Sequence, residues 1–196
     1  MILKRLYELS KNMIISSTSE WEKIKTQSHK SDWILINCAI PFYSLIIVAY
    51  FIGKVFNSIG GSITENGWFQ MGNLYIIADL VFRFGIHIMV LYSLVFLLGY
   101  VNGGFSVSKD KDTNFRFLFY SLVPVYVAYI FAGIIPAWSD IFIIIGLLSI
   151  YLLWIGARLI MEVAPDKLFP YLISVVVLYL LRSEEHTSEL QSPNTI

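Results

Sequence analysis

FRFLFYSLVPVYVAYIFAGII, residues 115–135, and IFIIIGLLSIYLLWIGARLIM, residues 141–161, decide the fold of this chain. The first run carries no charge after Arg116 and the second none before Arg158; only Pro136-Ala-Trp-Ser-Asp140 separates them. A helix rising about 1.5 Å per residue needs roughly 20 apolar residues to cross a hydrocarbon layer of about 30 Å, and each run supplies that number. In lipid the backbone must satisfy its own N–H and C=O groups, so such runs are helices. The pair is a helical hairpin through a membrane.

Outward from the hairpin the same reading holds. Of the 196 residues, 57% are hydrophobic, 16% aromatic and 14% charged, against about 25% charged in ordinary soluble domains. The fold class expected is all-α, a polytopic transmembrane bundle of five spans with an amphipathic N-terminal segment. The segment occupies 1–32. Within it Leu6, Leu9 and Met13 recur at helical spacing, and Ser17-Thr-Ser-Glu20 has the form of a capping box before Trp21 and Ile24. A basic amphipathic stretch with one tryptophan suits the membrane–water boundary, so Trp21, Lys23 and Lys25 are expected to be interfacial, meeting lipid head groups. The membrane domain follows at 33–181. Its first span, 33–53, contains Pro41 and should kink there. A loop at 54–73 is rich in Gly, Ser and Asn and offers Trp68 and Phe69 as boundary anchors. The second span, 74–101, is long enough to tilt or project. A polar connection, 102–114, leads to the hairpin, whose first arm holds Pro124.

The fifth apolar run, 169–181, is too short to cross, and composition changes abruptly at Arg182. RSEEHTSELQS, 182–192, has the form of a translated sequencing-library adapter. Residues 182–196 are therefore read as non-native and the fifth span as truncated.

Basic residues fix the expected orientation. Lys4, Arg5, Lys11, Lys23, Lys25 and Lys30 precede the first span; Lys109, Lys111 and Arg116 flank the second loop, and Arg158 and Lys167 the fourth. The first loop has Lys54 alone and the third has none. Since cytoplasmic flanks carry the excess of Lys and Arg, the N-terminus belongs in the cytoplasm.

Asp79, Arg83 and His87 form the one ionisable cluster inside an apolar run. At i, i+4 and i+8 they share about 80° of a helix face. Two readings stand side by side. In one, Asp79 exchanges an ion or proton, Arg83 is its counter-charge and His87 a relay. In the other, Asp79 and Arg83 neutralise each other near the boundary and His87 bonds a neighbouring helix. Arg158 and Glu162, also at i, i+4, read as a boundary pair.

No catalytic, cofactor-binding or metal site is expected. Ser121 and Ser149 lack a base at fixed spacing, the Gly-x-Ser-x-Gly and His-Glu-x-x-His patterns are missing, and Gly103-Gly104 lacks the context of a phosphate loop. The single Cys38 allows no intrachain disulfide. The basic residues flank spans, which suits membrane lipids and not nucleic acid. A protein partner is expected at the N-terminal segment, and homo-oligomer formation is left open.

The hairpin and its sequel also resemble the Yip family. Tyr120-Ser-Leu-Val-Pro124, Ile135-Pro136, Tyr151 with Gly156, and Pro165-Asp-Lys167 before an apolar run carry the likeness. Ile14-Ile-Ser-Ser-Thr-Ser-Glu-Trp21-Glu-Lys-Ile24 is similar to the start of the bacterial members, with Ser16 or Ser17 where those often have proline. The resemblance implies five spans, a cytoplasmic N-terminus, no enzymatic activity and a bacterial inner membrane. The N-terminal segment, the short outer loops and the missing catalytic set point to a non-enzymatic scaffold or adaptor of that family's type; a small transporter or ion pathway using the Asp79, Arg83 and His87 face is the alternative. Phe119 stands where the eukaryotic pattern has glycine, so Rab interaction is not carried over.

Overall fold

The computed structural model describes residues 2–60, 73–107 and 110–188. Trp68, Phe69 and Lys109 lie outside the described residues, as do 189–196 of the suspected tail. Every regular element described is helical. Among the described residues, three helical stretches are long and apolar enough to cross a membrane: Ser31–Gly53, Ala78–Gly104 and Ser139–Leu159. The bent pair Lys111–Ser121 with Val123–Ile134 passes the same test when the two helices are taken together, which makes three or four membrane-length segments, and Leu168–Leu180 is a shorter apolar helix.

The chain begins with α1 (Ile2–Ile15) and α2 (Ser17–Gln27). The capping box does not form. Ser17 is buried, and its hydroxyl donates to the Met13 carbonyl at 2.6 Å, the acceptor nearest to it in the preceding turn. Glu20 instead accepts from Lys23 at 3.1 Å.

The first span joins α3 (Ser31–Ile34), a π-helical turn (Leu35–Ala39) and α4 (Ile40–Gly60). Pro41 has no N–H for the ladder, and the wide turn just before it, where Ile40 N–H reaches Leu35 O, absorbs the misfit. The proline expected to kink the span is thus preceded by a π-turn. The helix also runs to Gly60, into the stretch expected to be loop. At the next span, α5 (Asn73–Gly104) spans about 48 Å and takes in Gly103 and Gly104. The polar connection is correspondingly shorter than expected. Asp110 ends it by capping α6 (Lys111–Ser121), accepting from Thr113 N–H at 2.9 Å. Its bonds to Thr113, side chain first, hold the Asp110 carboxyl below the ordinary carboxylate range, although burial acts the other way.

α6 is the hub. Residues 114–124 are buried without a break, the mark of a helix enclosed on all sides. At Leu122 the chain bends by 45° into α7 (Val123–Ile134), with Pro124 in the first turn, where its missing N–H is tolerated. A 3₁₀ turn (Pro136–Trp138) leads to α8 (Ser139–Gly146), α9 (Leu148–Leu159) and α10 (Leu168–Ser188). The backbone of α10 continues helically across Arg182, so the change in composition there is no boundary in secondary structure.

Two features suit a lipid solvent. Phe82, Met89 and Phe96, at i, i+7 and i+14 on α5, stand 67%, 56% and 65% exposed, an outward apolar stripe that water would not tolerate. Where α4 crosses α7, small residues let the backbones touch, as membrane helices do without a hydrophobic drive between them. A Cβ on Gly53 would overlap the Gly133 carbonyl oxygen; one on Gly133 would lie 2.9 Å from Tyr50 N and 3.2 Å from Ala49 Cβ.

A buried polar clasp closes α5, α6 and α10. Asn102 Nδ2 donates to Asn114 Oδ1 at 2.9 Å, and the Tyr171 hydroxyl donates to Asn102 Oδ1 at 2.9 Å. Tyr171→Phe is expected to destabilise the bundle by about 1 kcal/mol, since interhelical hydrogen bonds in membranes average less than this but a buried acceptor is left unpaired. Thermal unfolding in detergent checks it; an unchanged midpoint would show the clasp to be energetically idle.

Candidate functional site

Asp79, Arg83 and His87 share one face of α5, and the helix repeat alone brings them together. Arg83 Nε donates to Asp79 Oδ1 and Oδ2 at 3.0 and 3.2 Å. The two are partly exposed, at 39% for the arginine side chain and 23% for the aspartate. The face meets an aromatic wall. Arg83 Cζ lies 4.3 Å from the Tyr50 ring centroid, a cation–π contact. One helical turn on, His87 stacks on Tyr43 at 5.4 Å and lies 6.2 Å from Tyr129. The Tyr43 hydroxyl in turn donates to that of Tyr126 at 3.3 Å. These tyrosines escape a reading that looks only for charges. Their signal is spacing: Tyr43 and Tyr50, seven residues apart, fall on one face of α4 and match His87 and Arg83, four apart on α5.

Of the three N-terminal residues expected at the boundary, Trp21 is packed inside the protein. Trp21 does not meet head groups: it is 0% exposed. Its ring lies edge-on to Tyr120 at 6.3 Å and 6.5 Å from Phe117. It fits a notch at Gly156, where a Cβ would stand 2.8 Å from Trp21 Cζ2 and 3.0 Å from Phe117 Cδ2. The physical reason is that a large flat ring gains more from close packing in a glycine notch than from a boundary where water is near. Leu6, Met13 and Ile24 are buried with it. Lys23 and Lys25 are exposed, yet each holds a carboxylate of this chain, Glu20 at 3.1 Å and Glu162 at 3.0 Å. Glu162 lies beyond α9 with φ +54°, so it is no longer one helical turn above Arg158 and reaches α2 instead.

His29 stacks on Trp33 at 3.7 Å, and Arg5 Cζ lies 4.3 Å over the same indole. Burial first, then the charges of Arg5 and Arg116, push the His29 imidazole below its ordinary value of 6.5. Among the described residues no group of three His, Cys, Asp or Glu is placed to hold a metal ion.

Apolar helices of membrane length, backbone-close crossings and a lipid-facing stripe define a multi-pass membrane protein. The profile described as the Yip1 domain matches residues 11–181, most of the chain, and the protein belongs to that family, whose members are non-enzymatic membrane-trafficking proteins. No curated protein and no solved structure matches the chain.

Proposed function

We propose that the chain is a scaffold or adaptor of the bacterial branch of this family, in the inner membrane, with residues 1–32 in the cytoplasm and 33–181 as five spans. The orientation rests on the distribution of Lys and Arg and the branch on the 14–24 stretch. Residues 182–196 are treated as non-native on their sequence alone. The observation that carries the adaptor role is the division of α1 into two apolar faces. Leu6 and Met13 bind the helix to the bundle, while Leu3 and Tyr7 remain 64% and 63% exposed and Ile15 72%. A helix held from behind presents its other face to a protein partner. Because deleting 1–30 would also remove Trp21 from the core, the test is surface substitution. Leu3→Asp with Tyr7→Asp is expected to abolish partner recovery after crosslinking and leave membrane insertion and the melting temperature unchanged. Full recovery by the double variant would count against the reading.

A second reading, an ion or proton pathway, has the column from Asp79 through His87 to Tyr43 and Tyr126 in its favour. Asp79→Asn in reconstituted vesicles should then abolish a flux seen with the wild type. The absence of wild-type flux over a broad ion panel would remove it.

A further inference from the structure

The Trp33 indole carries a group on each face. Arg5 Cζ, from α1, lies 4.3 Å from the ring centroid, and the His29 imidazole, from the linker between α2 and α3, stacks 3.7 Å away and 13° from parallel. At those distances the two have no room on one face, so the ring is sandwiched between them. Trp33 itself is anchored. It belongs to α3, whose first residue, Ser31, gives its N–H and its hydroxyl to Asp112 Oδ1 of α6 at 2.9 and 2.6 Å. Arg5 is exposed and His29 half-buried, so the sandwich ties the exposed start of α1 to a fixed turn.

A neutral imidazole packs on the indole as one aromatic ring on another, and Arg5 meets the opposite face as a cation. A proton on His29 changes that balance. A second positive charge would then stand roughly 8 Å from the guanidinium across the ring, within about one Debye length. A half-buried imidazolium also loses part of its hydration. The nearby carboxylates do not cancel these effects. Glu8 stands one turn beyond Arg5 on α1, Asp32 on α3 and Asp112 on α6, and among the described residues none of them pairs with His29. Lys30 beside it and Arg116 on α6 add to the positive side.

We propose that Arg5, Trp33 and His29 form a pH-sensitive clasp, closed by the neutral imidazole and opened by a proton on His29, which frees the first turns of α1 from the start of the first span. The closed form holds His29 below its ordinary 6.5, burial first and Arg5 next. As pH falls through 6.5 the open form therefore takes up the proton first, and acid drives opening. Leu6 and Met13 keep the rest of α1 on the bundle, so the change is local. The clasp works independently of the adaptor role, and no partner enters its test.

The full-length protein in detergent carries a nitroxide at Leu3→Cys, read by electron paramagnetic resonance, while NMR follows the histidine rings. Cys38 is buried and stays unlabelled. The signal of His29, one of three histidines, is assigned with His29→Gln. The mobile fraction of the label should be roughly two- to threefold larger at about pH 5 than at about pH 7.5. His29→Gln, which takes no proton, should abolish that step. Arg5→Gln should move the His29 midpoint up towards 6.5, which a merely structural stack would not do. A wild-type midpoint at or above 6.5, a midpoint unmoved by Arg5→Gln, no acid step in wild type, or a step that survives His29→Gln each overturns the proposal.

Discussion

Replacing Gly53 by leucine is expected to take the bundle apart, with a loss of about 3 kcal/mol or more. The added side chain has no room to move into, because the atom it would overlap is the Gly133 carbonyl oxygen of α7 and not the end of a flexible side chain. Relief requires α4 and α7 to separate along their whole crossing, which forfeits the dispersion contacts holding it. The Tyr43–Tyr126 contact, made by the same helix pair, should be lost with it. Gly133→Leu should act alike, since its Cβ would press on the backbone of Ala49 and Tyr50. The contrast lies on α5. Gly85→Ala and Gly99→Ala meet nothing within 4 Å, and alanine favours a helix over glycine by about 0.5–1 kcal/mol. These two should keep or raise the melting temperature in detergent. If Gly53→Leu melts with the wild type, the close crossing is not what holds α4 to α7.

The second large effect is expected at Trp21. Trp21→Ala should cost about 3–5 kcal/mol, the range for truncating a buried aromatic, and should free α1 and α2 from the bundle. Limited proteolysis would detect this as rapid cleavage near residues 15–30, with the spans left intact. Gly156→Leu approaches the same contact from the other side, filling the notch so that the indole is expelled. Because both substitutions break one interaction, their effects should not add; the double variant should resemble the worse single one. Additive losses would mean that Trp21 and Gly156 stabilise the protein separately. The adaptor reading depends on this contact, since the presenting face of α1 is oriented only while its opposite face is docked.

The Yip-like motifs take on physical meaning here. Gly156, quoted in the sequence as part of a pattern, is the receptacle for Trp21, which belongs to a motif 135 residues earlier. Pro124 in the same pattern begins α7 after the bend at Leu122. The role of Gly156 could not be read from a linear string, because it depends on which helix lies opposite.

The sequence by itself determined the solvent, the helices and the face on which Asp79, Arg83 and His87 lie. Those follow from the length of apolar runs, the demand that lipid places on backbone hydrogen bonds and the 3.6-residue repeat, all properties of a single segment. Only the tertiary structure decided that Trp21 is core and not boundary, that Glu162 serves Lys25, and that Arg83 and His87 face Tyr50 and Tyr43. A tryptophan suits a head-group region and a glycine notch equally well by composition. The choice is made by the shape of a second helix, which the local sequence does not contain.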